Sequence, residues 1–395
     1  MANPNWYGAC HHAAWKIDLH DPFREVYGYY CLEKHFDMMK EAGANTVRFY
    51  MSGWAWLNNA LAGPNEVTYK QFIDQVADWC YARGLKVVWS FHVFTRWGGG
   101  WSFDNKRIFL LTGSLDLPVE GWTATWDDYM RWLRETMSSP KVQRVTAAVQ
   151  IFNEPPFADD WESVGPNQQL LEDRWIEFAQ RAIDTVRTVM PTATIMLDSC
   201  PFWSMNLWTR KSIDRPNIVY HNAHYCYLEG DLYAHDWTEY KIAQAFYEGR
   251  DADGISLMRS WFTDLGVYGR GLFGLQDLGY PVVFGEVGTD PSGQMATFWS
   301  RYMQAFYNLL KERGIGFIQH YFQLYTPGDF GMLADLNTLN EIGQLWARNM
   351  PTPISPLFPR VREFLWSFPV FQNVYARIDT VRAKREQETI MLGRG

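Results

Sequence analysis

The chain has 395 residues, 47% of them hydrophobic, enough for one large core and at most a few domains. Its 36 basic against 44 acidic residues give a net charge of −8, which argues against nucleic acid and anionic membrane surfaces as partners. No stretch reaches the roughly 20 apolar residues of a membrane helix. Cys10, Cys31, Cys80, Cys200 and Cys226 show neither CxxC pairing nor zinc spacing. Their odd number excludes a complete disulfide framework and leaves one or two bridges open. Met1-Ala-Asn-Pro leads straight into Trp6 without a signal segment, as the mature form of a secreted protein also would.

Asn5 to His12 reads as a first strand, ending in His11 and His12. Tyr29 to Ala42 has helical spacing and stops at Gly43. Asn45 to Tyr50 is strand two and carries Arg48. A helix follows over Val67 to Arg83, stopped by Gly84, and Leu85 to His92 is strand three. Residues 95–123 read as a long Trp- and Gly-rich loop. Trp126 to Thr136 is helical, Val145 to Phe152 is strand four, Leu170 to Met190 is helical and Thr194 to Asp198 is strand five. Asn217 to Tyr220 leads into strand six, which ends in His221-Asn-Ala-His224-Tyr225-Cys226-Tyr227. Residues 228–280 form a long connection with helices around Tyr240 to Tyr247 and Ser256 to Leu265. Pro281 to Phe284 is strand seven, Phe298 to Arg313 a helix stopped by Gly314, and Ile315 to Phe322 strand eight. A closing helix near Leu339 to Asn349 precedes a Pro-rich turn and a partly helical stretch, about Val361 to Lys384.

Eight strand–helix alternations predict an α/β fold, a (β/α)8 TIM barrel with loop insertions and a C-terminal helical extension. Residues 1–350 are assigned to the barrel. Residues 351–395 are assigned to an extension that packs on it rather than to an independent domain.

Two strands end alike. The β-branched run from Val145 stops at Asn153-Glu154-Pro155-Pro156, where prolines cannot continue a ladder. Pro281-Val-Val-Phe-Gly285-Glu286-Val-Gly288 is again an apolar run that delivers a glutamate. Chemistry in such barrels sits at the C-terminal ends of strands. Two carboxyls there suit a glycosidic bond, whose leaving oxygen must be protonated while positive charge develops at the anomeric carbon.

Asn153-Glu154-Pro155 after strand four and Glu286 after strand seven resemble the clan A glycoside hydrolases, most closely glycoside hydrolase family 5, which holds cellulases and mannanases. Arg48, His92 and His224 at the ends of strands two, three and six fit the same pattern. The resemblance spans roughly residues 5 to 350. It implies a retaining double displacement with Glu154 as acid/base and Glu286 as nucleophile. It implies further that Arg48 lowers the Glu286 pKa, Asn153 binds the sugar 2-OH, His92 binds a hydroxyl, and His224 and Tyr225 bind the carboxylates or the sugar. Two departures stand out. The His-x-Tyr spacing of the family falls on Cys226, so Tyr225 and Tyr227 are both candidates. Strand eight lacks the usual Trp, leaving Tyr321 or Phe322 as a smaller platform, or a Trp from another loop in its place.

Of the 20 Trp, Trp97, Trp101, Trp122, Trp126 and Trp161 fall in or beside expected loops, where flat rings can stack on sugar faces. These loops suggest an extended groove and an endo-acting enzyme, with β-1,4-glucan as first substrate and β-mannan as second. The long connection 228–280 leaves exo action open. The expected partner is a β-linked polysaccharide or oligosaccharide, with no nucleic acid, no membrane and a monomeric chain. No phosphate loop or dinucleotide fingerprint implies a cofactor. Extracellular action follows from a polymer substrate. Two other classes compete: a metal-dependent barrel hydrolase, given His11, His12, His92, His221 and His224 near strand ends, and a non-catalytic carbohydrate-binding barrel.

Overall fold

The computed structural model describes residues 2–14, 25–96, 98–158, 166–226, 231–233, 235–322, 330–335 and 337–351. The C-terminal extension expected after residue 351, Trp97, Trp161 and Tyr227 lie outside the described residues.

Eight parallel strands close into a barrel: β1 Tyr7–His12, β2 Thr46–Ser52, β3 Lys86–Val93, β4 Thr146–Gln150, β5 Ile195–Asp198, β6 Ile218–Cys226, β7 Val282–Thr289 and β8 Phe317–Gln319. Each pairs with its neighbours in chain order, and β8 closes on β1 through Tyr7 opposite Phe317. The surrounding helices are α1 Glu33–Glu41, α2 Tyr69–Ala82, α3 Phe103–Thr112, α4 Trp126–Met137, α5 Pro166–Arg187, α6 Thr238–Tyr247, α7 Asp251–Thr263, α8 Trp299–Arg313 and α9 Glu341–Arg348, with shorter turns between. This is the (β/α)8 barrel.

Strands buried on both faces explain the near-continuous apolar runs. Side chains alternate, so Phe49 and Trp89 pack outward against each other while Arg48 and Tyr50 point inward. Local signals set the helix ends. Thr68 and Gln71 form a reciprocal cap at the start of α2, and Gly314 ends α8 at φ 60°, a conformation that a side chain disfavours.

The stretch 95–123 departs from the loop expectation. It contains α3 and a hairpin of Ser114–Leu117 with Trp122–Thr125. Ser102 caps α3 by accepting from the Asn105 N–H at 3.3 Å. Strand seven runs five residues beyond its expected end and includes Glu286. All five cysteines are buried and free, so the possible bridges are not formed.

Helix α9 locks the start of the barrel. Trp346 is fully buried, its Nε1 donates to the Gly8 carbonyl at 2.9 Å, and its ring meets Phe322 edge-on. Trp346→Ala is expected to lower the unfolding free energy by about 3–5 kcal/mol in urea titration, through lost burial and an orphaned carbonyl.

Candidate active site

The site is built on Arg48, whose side chain is 0% exposed. Strand β2 points it into the barrel, where an unpaired charge would cost several kcal/mol. Its Nε donates to Gln150 Oε1 at 2.8 Å and its Nη2 to Asn153 Oδ1 at 2.7 Å. Nη1 donates to the Tyr50 hydroxyl at 3.0 Å and the Gly285 carbonyl at 3.1 Å, and pairs with Glu286 Oε2. One planar guanidinium thus ties β2, β4 and β7 together.

A second row of hydrogen bonds runs under it. Gln150 Nε2 donates to Asp198 Oδ2 at 2.7 Å, and Asp198 Oδ1 lies 2.8 Å from His221 Nε2. His221 Nδ1 accepts the Gly285 N–H at 3.2 Å. The ring therefore donates at Nε2 and accepts at Nδ1, and the residue preceding Glu286 is held through both of its backbone polar atoms.

Glu286 is buried, and Tyr225 donates its hydroxyl to Oε1. Gly288 makes that reach possible, since a Cβ there would come within 2.4 Å of the Tyr225 ring. Burial by itself raises the Glu286 carboxyl, but Arg48, then His320 and His92, together with the Tyr225 bond, hold it well below its ordinary 4.5. Glu154 is displaced the other way. Burial pushes it up to about 7, with Lys106 pulling down and Glu286 and Asp198 adding repulsion. Glu154 adopts φ 50°, outside the usual range for a side-chain-bearing residue, at the point where β4 has ended and two prolines follow.

Around this pair, His92 stacks on Tyr50 with centroids 4.1 Å apart, and its Nε2 lies 3.5 Å from Asn153 Nδ2. Burial holds its pKa well below 6.5. His320 occupies the strand-eight side. Its Nδ1 is 2.9 Å from the Tyr50 hydroxyl and 3.6 Å from Glu286 Oε1. Burial, with Glu286 opposing, leaves its pKa at about 4.

Arg48, His92, Asn153, Glu154, Tyr225 and Glu286 are thus brought to one end of the barrel. His224 is not. It points outward between helices, stacked on Tyr302 with its Nε2 3.2 Å from the Tyr302 hydroxyl. The two-residue alternation of β6 places His221 and Tyr225 inside and His224 outside. Tyr321 is half-buried, packed on His320 and His12, so His320 rather than Tyr321 is the ring beside Glu286. Phe322 is buried against His11, His35 and Trp346 and offers no platform.

The tryptophan expectation fails for Trp101 and Trp126. Trp101 is buried among Phe94, Phe109 and Phe152, and Trp126 is buried on α4. Trp122 is half-buried with Nε1 donating to Glu120. The rim aromatics are others: Phe103 is 36% exposed and stacks on Phe202, while half-buried Phe157 packs on Trp203. The Phe202 N–H donates to the Pro155 carbonyl at 3.1 Å, which sets this cluster beside Glu154. Tyr50, Lys106, Gln150, Asp198, His221 and His320 also belong to the site and were not singled out from the sequence as part of this constellation. Period-two alternation from Arg48 and Gln150 marks Tyr50 as an inward residue; nothing comparable marks Lys106. Among the described residues, no three His, Cys, Asp or Glu side chains are grouped to hold a metal ion.

A family model described as cellulase (glycosyl hydrolase family 5) matches residues 3–322. A hyperthermophilic endocellulase from the archaeon Pyrococcus horikoshii superposes with a TM-score of 0.61 at 13% identity, covering 87% of this chain and 93% of that one. A cellulase solved in complex with an inhibitor gives 0.64 at 14% identity, covering 88% and 93%. An endoglucanase from Pseudomonas stutzeri gives 0.56 at 15% identity, covering 89% and 95%. At such identities the likeness to these structures is one of fold. No curated protein matches the sequence.

The buried pair sets a stability prediction. Arg48→Met leaves Glu286 uncompensated and is expected to cost about 3–5 kcal/mol in denaturant unfolding at pH 7. Adding Glu286→Gln to Arg48→Met should recover more than half of that loss, as a double-mutant cycle would measure. Because the Glu286 pKa is depressed on folding, the pair's contribution is complete above the ordinary value of 4.5 and is lost as pH falls well below it.

Proposed function

We propose that this chain, which belongs to glycosyl hydrolase family 5, is an endo-acting β-1,4-glucanase working by retaining double displacement. The observation that carries the assignment of roles is the opposite displacement of two rim carboxyls. Glu286 is kept ionised by Arg48 and Tyr225, and Glu154 keeps a proton up to about pH 7. The endocellulase and endoglucanase among the structural neighbours support a β-1,4-glucan as substrate.

In the first step Glu286 Oε attacks the anomeric carbon and the glycosidic C–O bond breaks. Glu154 gives its proton to the departing oxygen. In the second, Glu154 takes a proton from water as that water attacks the same carbon and releases Glu286. Asn153 has its Oδ1 occupied by Arg48 and Gln150, which leaves Nδ2 to donate to the sugar 2-OH. His92 and His320, both held neutral near pH 7 by burial, offer hydrogen bonds to sugar hydroxyls without competing for the negative charge. The ring cluster of Phe103, Phe157, Phe202 and Trp203 lies on the Glu154 side, where the leaving sugar must sit. It is the natural stacking surface for the acceptor half of the glucan. On this reading a polymeric substrate implies action outside the cell, in polysaccharide breakdown.

Glu286→Ala should reduce hydrolysis of carboxymethyl cellulose, mixed-linkage glucan, β-mannan and xylan by about 10^4-fold or more wherever the wild type acts. Wild-type silence on all four would contradict the glycanase reading, and preference for mannan would redirect the substrate. In the wild type, kcat/KM should fall above about pH 7 as Glu154 loses its proton. It should hold on the acid side past pH 4.5, because Glu286 stays ionised below that value. In Glu154→Gln the alkaline fall should disappear along with most of the rate.

A further inference from the structure

Lys106 is a buried cation that the reaction as described does not use. It sits on α3, 5% exposed, and its Nζ donates to the carbonyl oxygens of Asn153 at 3.0 Å and Glu154 at 3.4 Å. The same Nζ lies 4.0 Å from Glu154 Oε2. The ring of Phe103, three residues earlier on the helix, covers it at 5.2 Å. An ammonium in such a place is costly unless its protons are met, and here two go to backbone carbonyls of one two-residue segment, whose carboxyl lies at ion-pair distance.

That segment requires an outside donor. Strand β4 has ended at Gln150, Glu154 turns at φ 50°, and Pro155 and Pro156 have no N–H to offer the carbonyls nearby. The Ser102 cap begins α3 one turn before Lys106 and so fixes where the ammonium arrives. The charge matters as well as the bonds. Glu154 is faced by Arg48 on β2, Asp198 on β5, Tyr225 on β6, Glu286 on β7 and Arg270 in the segment before Leu272. Of the charges acting on its carboxyl, that of Lys106 is the strongest. Lys106 itself is pulled down by burial and supported by Glu154, Asp198 and Glu286, with His92 also nearby.

We propose that Lys106 is a positioning residue for Glu154: it pins the turn that carries the carboxyl and supplies the fixed charge that lets that carboxyl release its proton as well as hold it. The inference rests on the acid/base role given to Glu154 above. A retaining enzyme asks one group to be an acid and then a base, and the optimum lies where both forms are within reach. Burial and the Glu286 charge favour the protonated form alone. The Lys106 cation opposes them, and its two bonds to the Asn153 and Glu154 carbonyls hold the turn from which the carboxyl projects.

The test uses the full chain with glutamate side-chain carboxyls labelled with carbon-13. The Glu154 resonance is identified by its absence in Glu154→Gln, and its titration is followed by NMR. In Lys106→Gln, which retains an amide donor for the Asn153 carbonyl but removes the charge, the midpoint should rise by about one pH unit or more. Lys106→Met should do the same, and Lys106→Arg should stay within about half a unit of wild type. The alkaline fall of kcat/KM should move by the same amount as the resonance in each variant. A midpoint unchanged in Lys106→Gln would overturn the proposal, as would an equal loss of rate at every pH with no movement of the profile. The NMR measurement reads Glu154 whether or not any glycan is hydrolysed. Failure of the glycanase reading would therefore appear separately, as wild-type inactivity with the Lys106-dependent titration intact.

Discussion

A guanidinium with no exposure to water constrains everything above it. Arg48 must be met by acceptors on several sides, and the barrel supplies them from three strands: Tyr50 beside it on β2, Gln150 and Asn153 at the end of β4, and Gly285 and Glu286 on β7. Satisfying that charge fixes the relative height of strands four and seven. It also orients the Asn153 amide and keeps Glu286 ionised in a dry site. Breaking any of these contacts leaves a buried charge or dipole unmet, so geometry and electrostatics are enforced by the same bonds. The Gln150–Asp198–His221–Gly285 row extends the arrangement to β5 and β6. Glu286 and the residues that support it are therefore held by the barrel wall, which suits chemistry that depends on sub-ångström placement, while Glu154 sits on the turn after β4.

Much of this was legible in the sequence because the barrel writes itself in repeated local signals. Apolar runs marked the strands, and glycines such as Gly84 and Gly314 marked helix ends. Glu154 and Glu286 stood out because each interrupts an apolar run at the end where a parallel barrel exposes its strands. Arg48 came from the resemblance to family 5 instead, and it lies inside β2 rather than at its end. What failed depended on facing and on long-range packing. His224 and Tyr225 are adjacent, and only the inward position of His221 decides which of them enters the barrel. The register also shifts between Asn222 and Ala223, opposite the residues that lead into Glu286. Trp101 looked like a loop aromatic because its surroundings are rich in glycine. Its burial comes from Phe94, Phe109 and Phe152, which lie on separate elements. Helix α3 was hidden because apolar residues on its exposed side, Phe103 and Ile108, blur the one-sided pattern expected of a surface helix.

Two features flank the carboxyl pair. On strand eight, His320 stands beside Glu286 where an indole would be expected, exchanging a broad apolar floor for a small ring with hydrogen-bonding edges. Beside Glu154, the segment after strand three contributes Lys106 and Phe103 from a helix that begins at a serine cap. Both lie against a pair of carboxyls, one carried on β7 and the other on the turn that follows β4.

The assignment of Glu286 as the attacking group is tested most directly by trapping the intermediate. A 2-deoxy-2-fluoro β-cellobioside with a good leaving group slows both steps but the second more, so the glycosyl-enzyme accumulates. Mass spectrometry of the digested protein should then find one added disaccharide on the peptide containing Glu286, and none in Glu286→Ala. A label on Glu154 instead, or leaving-group release in full turnover from Glu286→Ala, would contradict the account.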